Sequence, residues 1–269
     1  MPQTVFITGA STGIGRATAI YFRDHGWNVA ATMRQPADHP GLASERVKTI
    51  ALDVTDSQTI RPALDAALAA FGQVDVLVNN AGYGTFGPFE AASDEQIERQ
   101  YATNVTGLMY VTRAFLPHFR ERKSGTIINI SSVGGLATFP LYSLYHGTKW
   151  AVEGFSESLN FELNPLGIRV KLVEPGSIAT DFAGRSLDPL QKDGLTAYDD
   201  FIRRFREGWS AGRRASTPEF VAEVIFKAAT DGTDQLRYIA GEDAKMVIDT
   251  RAKLSQEDYY KMIRARIGL

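Results

Sequence analysis

Short apolar runs alternate with longer segments of helical periodicity along most of this chain. The runs are Thr4–Thr8, Asn28–Thr32, Val47–Leu52, Val74–Val78, Gly125–Ile130, Arg169–Val173 and Leu236–Ile239. Continuous apolar runs of this length read as strands buried on both faces. Between two of them, Ile60, Leu64, Ala67, Leu68 and Phe71 fall on one stripe of a helix. Thr103–Arg120 and Tyr145–Leu163 read as two further long helices. Strands separated by helices must pair in parallel, and right-handed crossovers put those helices on both faces.

The expected fold is therefore α/β: a doubly wound parallel sheet of the Rossmann type, with about seven strands. No repeat, low-complexity tract or linker divides the 269 residues, so a single domain over 1–269 is expected. One stretch breaks the rhythm. Phe182 to Arg214 carries charges, glycines and the aromatics Phe182, Phe201, Phe205 and Trp209. It follows the carboxyl end of a strand, where open α/β sheets bind ligands, and a substrate lid at about 181–215 is expected.

Composition narrows the chemistry. A net charge of −2 gives no reason to expect nucleic acid or an anionic membrane as partner. The absence of cysteine excludes disulfides, thiolate nucleophiles and cysteine-ligated metals. His25, His39, His118 and His146 have no metal-ligand spacing, so no metal is expected. The first apolar run, Val5–Ile7, is far too short for a signal peptide or membrane span, and a cytoplasmic location is expected.

The first strand leads into Gly9-Ala10-Ser11-Thr12-Gly13-Ile14-Gly15 and then into a helical pattern. Glycines at such a turn let backbone approach a pyrophosphate, which rests on the helix N-terminus. Further motifs follow in order: Asp53-Val54, Asn79-Asn80-Ala81-Gly82, Asn104, Ser131-Ser132, Tyr145-xxx-Lys149 and Pro175-Gly176. Over roughly residues 3 to 181 this set resembles the short-chain dehydrogenase/reductase family, in its single-domain branch. The resemblance implies a nicotinamide dinucleotide held by Gly9, Ser11, Thr12, Gly13, Ile14 and Gly15. It implies adenine between Asp53 and Val54, with Asn80, Ala81 and Gly82 on the adenosine-ribose side. Pro175, Gly176, Ile178 and Thr180 would meet the nicotinamide carboxamide.

The second strand ends in Ala31-Thr32-Met33-Arg34. Alignment with the family puts Met33 where NAD enzymes carry an acid for the ribose hydroxyls. Arg34 can instead pair with a 2′-phosphate, and Ser11 can donate to it. NADP(H) is therefore expected over NAD(H), although Thr12 stands where many NADP-dependent relatives carry a second base.

Tyr145 and Lys149 are four apart in a helix, so both side chains lie on one face. An ammonium beside a phenol, together with an oxidised nicotinamide ring, favours the phenolate. Tyrosine can then serve as general acid or base. The resemblance makes Ser132, 13 residues before Tyr145, the group that hydrogen-bonds the substrate oxygen. It makes Lys149 a ligand of the nicotinamide ribose, and Asn104 the holder of a water joining Lys149 to solvent protons. His146, rotated away from the face of Tyr145, is read as a packing or interface residue.

Phe139–Leu144 and the later aromatics suggest an apolar pocket wall. The expected activity is reduction of an apolar ketone or aldehyde, or the reverse oxidation, as in 17β-hydroxysteroid dehydrogenase-like members. Two rivals stand: a non-catalytic dinucleotide-binding sensor or scaffold, and an epimerase or dehydratase of the extended branch. Relatives often pack the helices at Thr103–Arg120 and Tyr145–Leu163 against a partner, which implies a homodimer or homotetramer.

Overall fold

The structure, a computed structural model, describes residues 2–39, 42, 44–179, 186–210 and 215–269. The first half runs β1 (Thr4–Ile7), α1 (Gly13–Asp24), β2 (Asn28–Met33), β3 (Val47–Ala51), α2 (Ser57–Phe71), β4 (Val76–Asn79), β5 (Gly84–Phe86), α3 (Asp94–Tyr101) and α4 (Leu108–Arg122). The second half runs β6 (Gly125–Ile130), α5 (Ser143–Leu163), β7 (Ile168–Pro175), β8 (Leu187–Pro189), α6 (Asp199–Ser210), α7 (Pro218–Thr230), β9 (Arg237–Ala240), α8 (Glu242–Lys253) and α9 (Gln256–Arg266).

Seven of these strands form one parallel sheet in the order β3-β2-β1-β4-β6-β7-β9. This is the doubly wound sheet that the sequence pattern predicts. The order reverses between β1 and β4, which opens a crevice at the carboxyl edge of the sheet.

Alternate residues of each strand enter opposite layers. Val5, Ile7, Val29, Val76 and Val78 pack under α1 and α7, against Phe22, Val221 and Ile225. Phe6, Leu77, Ile127 and Val170 pack under α2, α4 and α5, against Leu64, Phe115 and Leu159. Phe6 meets Phe115 edge-on at 4.8 Å. The predicted stripe on α2 is only partly buried: Ile60, Leu64 and Ala67 enter the core, while Leu68 and Phe71 lie at its margin.

One expectation is corrected. Thr103–Arg120 is not one regular helix, because Ala102–Gly107 is a π-helical turn between α3 and α4. The wide turn lets Gly107 sit on the loop after β3, where an added Cβ would lie 2.7 Å from the Val54 carbonyl oxygen. Over its described part, the segment after β7 forms regular elements. β8 adds in parallel to β5, pairing Gly84 with Leu187, and α6 follows. Phe201, Phe205 and Trp209 share one face of α6 and join Phe86, Phe139 and Tyr142 in a separate aromatic cluster. Thr180, Phe182 and Arg214 lie outside the described residues. No described helix is long and apolar enough to cross a membrane.

β7 also buries a charge. Lys171 is 1% exposed, and its Nζ donates to Asp231 Oδ1 at 2.6 Å and Tyr238 Oη at 2.9 Å. Burial raises the Asp231 pKa, but hydrogen bonds from Lys171, Tyr238 and the Thr233 amide outweigh it and hold the carboxyl far below the usual carboxylate range. Asp231→Ala strands the ammonium, so urea unfolding at pH 7 should show a loss of about 3–5 kcal/mol. The folded pKa is depressed, so this stability is present above the unfolded value of 3.8 and is lost below it. The gap to wild type should therefore narrow in acid.

Candidate active site

The glycine turn leaves β1 and enters α1 against the end of β4. Gly9 has φ +67°, and a Cβ there would lie 2.9 Å from the Ala81 Cα. A Cβ on Gly15 would lie 2.3 Å from the Gly9 carbonyl oxygen, so neither position admits a side chain. Asn80 fastens this approach: its Nδ2 donates to the Thr8 and Gly9 carbonyls at 2.9 and 3.1 Å. The amides of Asn80 and Ala81 both donate to Thr8 Oγ1 at 3.0 Å.

α1 opens at Gly13 with no side-chain cap from Thr12 and no acid in its first turn. Neither a capping side chain nor a first-turn acid competes for its first amides, and Ser11, Thr12, Gly13 and Ile14 line an open cavity. This cradle fits a dinucleotide pyrophosphate. Arg34 is exposed at the end of β2 and Met33 is buried beside it. Both line the same cavity, as do Asp53 and Val54 after β3. The Asp53 carboxylate turns back on its own loop, accepting from the Thr55 amide and hydroxyl at 2.9 and 2.7 Å.

Tyr145 and Lys149 project from α5 toward the end of β6, where Ser132 begins the next turn. A hydrogen bond links Ser132 to Tyr145, and Ser132 Oγ accepts from the Gly134 amide at 3.0 Å. Lys149 Nζ donates to the Ile130 carbonyl at 2.9 Å and lies 5.7 Å from the Tyr145 ring centroid. Burial pushes the Tyr145 phenol up to about 12, against the Ser132 hydrogen bond. Burial also pulls the Lys149 ammonium down to about 8, against the attraction of Glu153. In the chain alone, therefore, desolvation outweighs the Ser132 hydrogen bond, and Tyr145 holds its proton at neutral pH.

Asn104 lies in the π turn. Its Oδ1 accepts from the Tyr83 amide at 3.1 Å, and its Nδ2 donates to the Tyr83 carbonyl and Thr148 Oγ1 at 2.8 and 3.1 Å. Thr148 Oγ1 in turn donates to the Tyr145 carbonyl at 2.7 Å, so Asn104 joins the β5 strap to the helix that carries Tyr145. Gly82 packs on the same amide group. His146 is buried: Nδ1 donates to the Gly134 carbonyl at 2.7 Å and Nε2 accepts from the Phe139 amide at 3.3 Å. Burial lowers its pKa, so the ring is neutral and packs inside the chain rather than at an outer face.

Pro175 and Gly176 end β7 on the opposite wall, followed by Ile178, which bridges to Ser216. Asp243, at the start of α8, escaped the sequence reading. Its Oδ2 accepts from the Ser177 amide at 2.7 Å, and a Cβ on Gly176 would lie 2.3 Å from its Oδ1. The available signal was Gly241-Glu242-Asp243, placed directly after the last strand. Glycine turn, Ser132, Tyr145, Lys149 and the Pro175 turn all line one cavity of about 1530 Å³. Among the described residues no His, Asp and Glu cluster could hold a metal.

The model of the short chain dehydrogenase family matches residues 3–190. The chain belongs to that family. It is an oxidoreductase by this membership, and its relatives agree. A 3-ketodihydrosphingosine reductase of Bacteroides thetaiotaomicron is 38% identical over 227 residues, 84% of this chain and 83% of the relative. A short-chain dehydrogenase from Streptomyces avermitilis superposes with a TM-score of 0.82 at 34% identity, covering 98% of each chain. A 3-ketoacyl-(acyl-carrier-protein) reductase from Brucella melitensis, complexed with NADH, gives 0.76 at 27%, covering 90% of this chain and 98% of its own.

Behind the tyrosine and lysine, this member of the family buries two carboxyl groups around one arginine. Glu174 is 0% exposed, and among the described residues neither of its oxygens has a hydrogen-bond partner. Arg237 Nε lies 3.2 Å from Glu153 Oε2 and 3.4 Å from Glu174 Oε1, and its Nη2 is held by Glu157 at 2.6 Å. Burial, reinforced by the Glu153 charge and opposed by Arg237, lifts Glu174 to about 8. Glu174 is therefore a neutral acid at physiological pH. Its folded pKa exceeds the unfolded 4.5, so its contribution is complete below 4.5 and is lost as pH climbs toward 8. Glu174→Gln removes that titration. Between pH 5 and pH 8 the variant should gain roughly 3–4 kcal/mol on wild type in paired urea titrations. Parallel pH curves would show that Glu174 is ionised throughout.

Proposed function

We propose that this chain is an NADP(H)-dependent oxidoreductase that interconverts an apolar ketone or aldehyde and its alcohol. The observation that carries this reading is the meeting of Ser132, Tyr145 and Lys149 in the same cavity as the glycine turn. A sensor needs the turn alone; a proton donor bonded to a serine beside a buried ammonium is what carbonyl reduction requires.

The turn from Gly9 to Gly15 and the first amides of α1 would hold the pyrophosphate. Asp53 and Val54 would flank the adenine, and Asn80, Ala81 and Gly82 the adenosine ribose. Tyr145 and Lys149 would bind the nicotinamide ribose, and Pro175, Gly176, Ile178 and Thr180 the carboxamide. The bound cofactor supplies the hydride in reduction and accepts it in oxidation. Ser132 orients the substrate oxygen by donating to it. Tyr145, a neutral phenol at pH 7, gives its proton to that oxygen as negative charge develops there. Lys149 stabilises the phenolate left behind, and Asn104 holds the strap that fixes the Tyr145 turn.

Exposed Arg34 and apolar Met33 at the end of β2 support NADP(H), because no acid stands there to repel a 2′-phosphate. Phe139, Tyr142 and Trp209 along the cavity support an apolar substrate, and the Bacteroides relative is named for a ketone. Residues 181–215 are read as the substrate lid of one domain spanning 1–269. Exposed Tyr110 on α4, with Trp150 and Phe161 on α5, supports a homodimer or homotetramer built on these helices, and nothing in the composition argues against the cytoplasm.

Cofactor oxidation is followed by absorbance with a panel of apolar ketones and aldehydes. NADPH should outperform NADH, and Arg34→Ala should raise KM for NADPH about tenfold or more while leaving NADH kinetics nearly alone. Tyr145→Phe should lower kcat/KM by about 10²–10⁴. Reduction should fall above pH 8 as Lys149 loses its proton. NADH preference overturns the cofactor assignment. Tight dinucleotide binding with no turnover across a wide panel leaves the sensor.

A further inference from the structure

The cavity is lined by the rings of Phe139, Tyr142 and Trp209 and by Arg266. Tyr142 stands 6.4 Å from Tyr145, ring to ring, and Phe139 packs edge-on to Trp209 at 5.2 Å. The Arg266 guanidinium lies over Trp209, with Cζ 4.3 Å from the ring centroid. Its Nε donates to the Gly208 carbonyl at 3.0 Å. Ring and carbonyl together fix the plane of the guanidinium.

Arg99, Lys149 and Asp188, which also line the cavity, already have partners. Arg99 is held by Tyr83 Oη and Asp188. Lys149 Nζ is held by the Ile130 carbonyl. Asp188 is consumed by Arg99. Among the described residues no carboxylate pairs with Arg266, and its two terminal nitrogens donate to none of them. Arg266 lines the same cavity as Phe139, Tyr142 and Trp209. A flat, pre-seated guanidinium with two uncommitted donors suits bidentate capture of a carboxylate. Its ordering is already supplied by Trp209 and Gly208, so little is lost when an anion docks.

We propose that Arg266 is a carboxylate-binding subsite, so that the preferred substrate is an apolar carbonyl compound with a carboxylate at its far end. This rests on the carbonyl-reductase reading above. The apolar body lies along Phe139, Tyr142 and Trp209, the carbonyl meets Ser132 and Tyr145, and the carboxylate meets the Arg266 fork. A purely structural Arg266, bracing α9 against α6 through Gly208, would be blind to substrate charge.

The test uses a medium-chain keto acid and its methyl ester, which share length and reacting group. Wild type should show a KM several-fold lower for the acid, and rising salt should erode that preference. Arg266→Gln should shrink the acid-to-ester ratio of kcat/KM by roughly five- to tenfold, as expected for an exposed charge pair with good geometry. Arg266→Lys, which keeps the charge and loses the fork, should fall between. Equal loss for both substrates in Arg266→Gln makes the residue a brace and overturns the proposal, as does a wild-type preference for the ester. If ester and simple ketones are reduced without any acid preference, the subsite fails and the reductase reading stands. If no carbonyl compound is reduced with either dinucleotide, both fall together.

Discussion

The clamp between the ends of β1 and β4 underlies everything else in this molecule. Thr8, Gly9 and Gly15 meet Asn80 and Ala81 at distances that exclude side chains at both glycines. The clamp sits where strand order reverses, so it shapes the floor of the crevice and aims the first turn of α1 into it. β6 and β7 then deliver Ser132 and the Pro175 turn along the same edge. The chemistry of the site follows from that edge geometry before any side-chain property is considered.

Burial sets the proton inventory around this edge. Tyr145 is held protonated, Lys149 is brought near neutrality, His146 is neutral, and Glu174 keeps its proton. Each shift has desolvation as its largest cause, so each depends on how dry the site stays. The contrast with Asp231 is instructive. That carboxylate faces one ammonium, a phenol and an amide, and these donors reverse the sign of its shift.

The sheet was legible because its strands are buried on both faces and therefore spell unbroken apolar runs. The glycine turn and the Tyr145–Lys149 spacing were legible because local geometry dictates both. What escaped was encoded at long range. β5 and β8 are three residues each and exist only through each other, 103 positions apart at Gly84 and Leu187. Asp243 and Arg237 reach the site from the end of the chain, and Glu174 sits inside an apolar run where periodicity cannot separate it from its neighbours. His146 was rightly turned away from the face of Tyr145, but only tertiary contact shows it bridging Gly134 and Phe139. The start of β4 and the end of β7 shifted by two residues from the apolar runs, because the ladder follows hydrogen-bond partners rather than hydropathy.

The π turn at Ala102–Gly107 adds a phase slip to an otherwise continuous helical path. One surplus residue advances the helical phase by about 100°. α3 and α4 therefore present stripes that no single helical wheel superimposes, and the α3 side, with Arg99 toward Asp188, is set independently of the α4 side, with Val111 and Phe115 toward the sheet. The slip falls at Asn104 itself, so the strap that rims the substrate cavity and the helix that packs the core can drift apart in sequence without losing register with each other.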